Sequence, residues 1–168
     1  FFIPGLIANM APGLLSIYTG ARGESWTATS ACASANHAIG ASLRALRSGA
    51  CDVALTGGAE AVVCHTTIAG FNAMKALSTR NDDPLTASRP FDQDRDGFVL
   101  GEGAAVLVLE TEEHAQARGA TIYAEVAGFG ATADAHHITA PRPDGDGAVQ
   151  AMALALSDGK LANEQVGY

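Results

Sequence analysis

Cys32 is the residue whose neighbours best suit it to act as a nucleophile. It lies in the run Thr29-Ser30-Ala31-Cys32-Ala33-Ser34-Ala35, where the alternating, strand-like residues 25–29 give way to a helical pattern. That pattern carries Ala35, Ala38, Ile39, Ser42, Leu43 and Leu46 on one face, and Gly49 stands where a helix C-terminus would need it. The first N–H groups of a helix have no intrahelical partner, and its dipole adds partial positive charge. A sulfur held there is favoured as thiolate. The small side chains of Ala31, Ala33 and Ala35 leave room for an acyl group to approach it. A small buried core cysteine fits the same pattern, so on these residues alone both readings stand. Cys51 and Cys64 are read as lacking this strand-to-helix setting and as inert thiols.

Five histidines raise the question of a metal or an acid–base pair. His136 and His137 are adjacent, so on extended backbone their side chains diverge, and no third ligand stands at metal-binding spacing. No metal is expected. His37 falls one turn past Cys32 and reads as a packing histidine, while His65 and His114 read as surface or loop residues. The segment Asp92-Gln93-Asp94-Arg95-Asp96-Gly97 begins like a calcium loop, but Gly103 occupies the position that needs the bidentate acid. It reads as a structural loop held by ion pairs among Arg89, Asp92 and Arg95, followed by a buried and paired Glu102.

The elements that must position these residues alternate along the chain. A helical stretch over residues 5–18, broken at Pro12, precedes the strand at 25–29 and the helix after Cys32. A buried strand at 52–56 ends at Gly57-Gly58, and a second short apolar run covers 61–63. Strand, helix, strand predicts a parallel right-handed crossover. A short helix over 68–77, a polar loop over 78–96, strands at 97–101 and 104–109, a helix over 111–118, a strand over 121–130 and a helix over 147–157 follow. The alternation predicts an α/β fold.

Composition narrows the class. The chain has 168 residues, 48% hydrophobic and 17% charged, which describes an ordered globular protein with a core. A formal net charge of −8 with no Lys/Arg cluster argues against a nucleic-acid partner. Three cysteines without regular spacing suit a reducing compartment, with the cytoplasm as the default. No apolar run is long enough to span a membrane as a helix. The opening Phe1-Phe2-Ile3-Pro4 lacks an initiator Met and a charged leader, and residues 163–168 stop as an apolar run begins. Both ends read as cuts.

Four motifs in series carry a resemblance to a known family: Ser30-Ala31-Cys32-Ala33-Ser34, Asp52 through Gly57-Gly58-Ala59-Glu60, Ala76-Leu77-Ser78-Thr79-Arg80-Asn81-Asp82, and Arg89-Pro90-Phe91-Asp92 running on to Gly101-Glu102-Gly103. Together they resemble the β-ketoacyl-acyl carrier protein synthases, most closely the type II synthases of fatty-acid synthesis. The resemblance covers essentially the whole chain and implies a thiolase-like layered α/β fold, of which residues 1–168 would be most of the N-terminal half, a partial N-terminal synthase domain.

The resemblance also implies a reaction. An acyl chain passes from acyl carrier protein to the cysteine matching Cys32, malonyl-carrier protein loses carbon dioxide, and the resulting carbanion attacks the acyl thioester. The Cys32 N–H would be one oxyanion donor. The family's second donor, its two histidines and its lysine would lie past Tyr168, and no His-Gly pair occurs in the sequence, so residues 1–168 alone are expected not to condense. By the same resemblance Phe2 and Phe71 match acyl-pocket positions, with Phe2 reaching in from a homodimer partner. Thr139, in the segment 134–141, would bond the pantetheine arm, and Lys75 would dock the acidic carrier protein. No cofactor is implied. A polyketide ketosynthase of the same fold, and a non-catalytic dimerising α/β module with an incidental cysteine, are the competing readings.

Overall fold

The computed structural model describes residues 2–168, which form two compact units. The larger unit is the chain up to Gly57 together with Val106–Tyr168; the smaller is Gly58–Ala105.

The larger unit opens with helices α1 (Phe2–Leu6) and α2 (Met10–Thr19). The helical break falls at residues 7–9, not at Pro12, which occupies the first turn of α2. The amide that proline lacks would have no intrahelical partner there, so the ring is tolerated. Residues 24–30 make no ladder, so the strand expected at 25–29 is absent, and with it the parallel crossover.

A 3-10 turn over Ala31–Ala33 leads into α3 (Ser34–Arg47), which buries Gly40, Leu43 and Leu46. Gly49 closes this helix as expected, at φ 74°. Its N–H donates to Leu46 O and the Ala50 N–H donates to Ala45 O, the paired bonds of a Schellman cap.

Among the described residues the sheet has two strands, β1 (Val53–Glu60) and β2 (Gly103–Glu110). The Thr111 N–H donates to Asp52 O at one end, while Glu102 accepts from the Val63 N–H at the other, so the strands are antiparallel. β1 runs through Gly57-Gly58 instead of ending there, because the ladder with β2 continues across the glycines. Glu102 is exposed, not buried; its partner is that backbone amide.

In the smaller unit, α4 (His65–Ala73) starts and ends earlier than the apolar spacing predicts. Residues 97–101 contribute only a single bridge, Leu77 to Phe98. The loop expected to be held by Arg89, Asp92 and Arg95 ion pairs is organised differently. Arg95 donates to the Asp92 carbonyl at 2.6 Å, and the Asp92 carboxylate accepts the Asp94 N–H at 2.7 Å. Asp96 anchors the loop by accepting from Ser78 Oγ at 2.6 Å and the Thr79 N–H at 2.9 Å.

After β2, the larger unit resumes with α5 (Glu112–Ala117), whose N-cap Thr111 accepts the His114 N–H. Residues 121–130 form no strand; at the end of the run Gly128 and Gly130 lie against α6 (Asp146–Asp158) instead. Arg47 donates to Ala127 O at 2.6 Å and to Asp158 at 2.8 Å, and Asp158 in turn accepts the Phe129 N–H at 2.9 Å. These bonds lower the Asp158 carboxyl below its usual range, the Phe129 amide first and Arg47 second. Phe129 meets α3, its ring edge-on to His37 and under the Arg44 guanidinium.

Glu110, at the end of β2, forms a cluster that sequence reasoning missed, placing His114 on the surface. Its side chain is 8% exposed and accepts from Arg118 Nε at 2.9 Å, with His114 Nδ1 3.0 Å away. The Arg118 guanidinium, and after it the His114 ring, hold its carboxyl down at about 2 from the usual 4.5. A carboxyl depressed on folding stabilises above its unfolded value, and that contribution is lost as pH falls from 4.5 to about 2. Glu110→Gln is therefore expected to be less stable than the parent near neutral pH, with the gap closing as pH falls through that window. Urea titrations of the full-length protein over the range would show it, and a constant gap would refute it.

Few side chains are buried: Leu43, Leu46, Ala87 and Ala115 are the buried hydrophobics among the described residues. Val106, Leu107 and Val108 of β2 remain about half exposed, so this sheet carries apolar surface uncovered by the chain itself.

Candidate functional site

The turn that carries Cys32 is fixed by bonds on both sides. Ser34 Oγ accepts the Ser30 N–H at 2.8 Å and donates to Ala31 O at 2.7 Å, while Ser30 Oγ lies 2.5 Å from His37 Nδ1. His37 is thus a satisfied packing histidine that also braces the turn. Ala31 adopts φ 49°, a left-handed conformation that an L-residue with a Cβ rarely takes and that costs about 1–2 kcal/mol. This kink turns the chain toward α3 immediately before the sulfur. Cys32 is exposed, and among the described residues no group accepts a hydrogen bond from its backbone N–H.

The turn forms one wall of a cleft of about 720 Å³. Ser30, Ala31, Cys32 and Ala33 line one side, and Asp134 with residues 137–141 line the other. Thr139 is therefore brought to Cys32's cleft. The segment is held at its start by Asp134, which accepts the Arg142 N–H at 3.0 Å and lies over Gly147 of α6.

The remaining candidates are not among the residues that line this cleft. Phe2 is on α1 and 76% exposed. Phe71 belongs to the smaller unit, half-buried, its ring edge-on to Phe98 at 5.0 Å. Lys75 does not share a helix turn with Phe71, because α4 ends at Ala73; it is exposed in a left-handed conformation, φ 56°. A cavity of about 260 Å³ in the smaller unit, walled by Ile68, Leu77, Phe98 and Leu100, contains none of the candidates.

One sequence reading needs correction. Cys64 does sit at a helix start, shortly after β1 ends at Glu60: it is the N-cap of α4, exposed, with Sγ 3.3 Å from Thr67 Oγ1. The Thr67 hydroxyl, then the amides of the first helical turn, push its thiol down from the usual 9.0. The apolar spacing of this helix begins only at Ile68, three residues after α4 starts, so the sequence pattern does not mark Cys64 as the helix start. No group of His, Cys, Asp and Glu suited to a metal ion occurs among the described residues. No described helix is long and apolar enough to cross a membrane.

A family model described as the β-ketoacyl synthase N-terminal domain matches residues 1–115, and one for the β-ketoacyl synthase C-terminal domain matches residues 123–168. The chain belongs to the β-ketoacyl synthase family. Its thiolase-like α/β fold is that of solved ketosynthases. A β-ketoacyl synthase from Burkholderia phymatum matches over 95% of this chain at TM-score 0.88 and 43% identity. A type II polyketide ketosynthase solved with its acyl-carrier protein and a bound hexaketide matches over 99% of it, at TM-score 0.95 and 34% identity. These matches cover 38% and 41% of the solved chains.

Among curated relatives, the 3-oxoacyl-[acyl-carrier-protein] synthase 2 of Vibrio cholerae and that of Synechocystis are each 52% identical over all 168 residues. The counterpart from Staphylococcus aureus is 51% identical. This β-ketoacyl synthase chain spans about 40% of the length of such relatives. Within it, Cys32 falls in the N-terminal-domain match, whereas Asp134 and Thr139 fall in the C-terminal-domain match, so the cleft draws one wall from each.

Proposed function

We propose that the whole protein is a 3-oxoacyl-acyl carrier protein synthase of fatty-acid elongation, and that Cys32 carries the acyl chain. The observation that bears most weight is the placement of an exposed thiol, with an uncommitted N–H on the same residue, behind a left-handed kink in a cleft open to substrate. The Cys32 thiolate attacks the carbonyl of an acyl-carrier-protein thioester, and the Cys32 N–H donates to the oxyanion that forms. Collapse expels the pantetheine thiolate and leaves an acyl thioester on Cys32. Loss of carbon dioxide from malonyl-carrier protein then yields a carbanion that attacks this thioester, forming the new carbon–carbon bond and releasing the Cys32 thiolate.

In this reading Thr139 bonds the pantetheine arm, Phe2 and Phe71 line the acyl pocket, Phe2 reaching in from the partner of a homodimer, and Lys75 meets the acidic carrier protein. The exposure of Phe2 and Lys75 supports their availability for such contacts. The three free thiols support a cytoplasmic setting. A polyketide ketosynthase is the alternative, favoured by the match to the hexaketide-bound ketosynthase.

Thiol alkylation alone does not test the proposal, because Cys64 is also exposed and has a lowered pKa. Transfer of the acyl group does. A full-length synthase containing this segment, incubated with lauroyl-acyl carrier protein and digested, is expected to carry the lauroyl group on the Cys32 peptide. Lauroylation of Cys64 or Cys51 in its place would overturn the assignment.

A further inference from the structure

His137 is adjacent to His136, yet its ring does something neither acid–base chemistry nor a metal would ask of it. Its Nδ1 accepts two backbone N–H groups, from Thr139 at 3.1 Å and from Ala140 at 3.0 Å, and the Thr139 hydroxyl lies 3.5 Å from the same nitrogen. An imidazole nitrogen that accepts must offer a lone pair, so Nδ1 serves here as an acceptor and not as a proton donor. The arrangement is that of an Asx turn, with the ring nitrogen in place of a carboxylate or amide oxygen.

The turn it closes forms the wall of the Cys32 cleft. Residues 137–141 face Ser30, Ala31, Cys32 and Ala33 across it, and Ile138 at the turn's tip is 95% exposed, so apolar packing does not fix this segment. Upstream, Asp134 ties the segment down by accepting the Arg142 N–H, and Ala135 is held at φ 47°. Between those anchors and Pro141, the two bonds to His137 Nδ1 are the side-chain restraints on Thr139 and Ala140.

We infer that His137 is a positioning residue for the acyl-transfer site: its Nδ1 clamps the Thr139-Ala140 backbone and so sets where Thr139 stands in the Cys32 cleft. The inference rests on the reading of Cys32 as acyl acceptor. It makes no use of His137 as acid or base, and this separates it from a catalytic role. An asparagine places its Oδ1 close to where Nδ1 stands and accepts the same two amides, but it cannot shuttle a proton at neutral pH.

The test uses a full-length synthase containing this segment, with its His137→Ala and His137→Asn variants. Hydrogen exchange at the Thr139 and Ala140 amides reads the clamp without reference to activity. The two amides are expected to be protected in the parent and in His137→Asn, and to lose about ten-fold or more of that protection in His137→Ala. Lauroyl transfer from acyl carrier protein to Cys32 reads the consequence. His137→Ala is expected to raise KM for the carrier-protein thioester about ten-fold with a smaller change in kcat, and His137→Asn to restore the parent values.

Unchanged amide protection in His137→Ala overturns the clamp. So does an asparagine variant that keeps protection but loses kcat, since that result belongs to proton transfer. If the parent itself does not load lauroyl on Cys32 while the exchange pattern holds, the proposed function fails and the functional half of this inference falls with it.

Discussion

Cys32→Ala is expected to lower acyl transfer from acyl carrier protein by at least about four orders of magnitude, the scale of loss when an enzyme's only nucleophile is removed. The remaining groups, including the N–H of residue 32 and the Thr139 wall, would still bind the thioester, so KM should move far less than kcat. Cys32→Ser is expected to do little better: it keeps the shape, but a hydroxyl ionises far less readily than a thiol and is the poorer nucleophile toward a thioester. Cys64→Ser serves as the counterpart. Cys64 has an exposed sulfur and a helix N-terminus, but it lies in the smaller unit and lines neither cleft nor cavity described above. Its loss should leave lauroyl transfer within about two-fold of the parent while removing a fast-alkylating thiol. Comparable damage from Cys64→Ser would show that the nucleophile has been assigned to the wrong residue.

Gly130→Ala is expected to destabilise the protein by about 3 kcal/mol, the upper end of the usual range for an overpacked site. A Cβ at residue 130 would stand 2.1 Å from Ala151 O and 2.7 Å from the Ala155 N–H nitrogen, both backbone atoms of α6. Backbone cannot rotate away as a side-chain tip can, so either α6 or residues 127–130 must move. Gly128 faces the same helix as tightly, with Ala155 O at 2.3 Å. A shift of α6 would reach the cleft, because Gly147 in its first turn lies under the Asp134 carboxylate, and Thr132 donates to the Gly147 carbonyl at 2.6 Å. Acyl transfer is therefore expected to fall along with stability. Urea unfolding of the full-length variant gives the measurement, and a midpoint equal to the parent's would show that the contact is slack.

These two residues illustrate how differently sequence reports on site and on fold. The setting of Cys32 was legible because it is local: small neighbours, a change from alternating to helical spacing, and Gly49 at the end of α3 all lie within one short stretch. The left-handed Ala31 was not legible, since alanine carries no mark of that conformation and it is imposed by the bonds of Ser30, Ser34 and His37 around it. Cys64 was misread for a different reason. Helix α4 begins with His65-Thr66-Thr67, residues of poor helix propensity, and the apolar spacing that betrays a helix starts only at Ile68.

Strand patterns fared worst. Residues 25–29 and 121–130 have β-type composition, and neither forms a ladder, because a strand is a property of a pair and these runs have no strand partner among the described residues. The Glu110 cluster was hidden for a related reason: Glu110, His114 and Arg118 are ordinary residues at a strand end and on a short helix until the turn at Thr111 brings them together.

Local spacing was enough to indicate the α/β class, the family to which four ordered motifs point, and Gly49 as the residue that closes α3. Each depends on interactions spanning a few residues, so each leaves a mark in local spacing. It takes the closed fold to bring the turn at Cys32 to face the segment containing Asp134, His137 and Thr139, to pair β1 antiparallel with β2, and to require that Gly128 and Gly130 remain bare. Those outcomes depend on contacts between residues far apart in the chain, where the closing of the fold sets the distance and no local pattern records it.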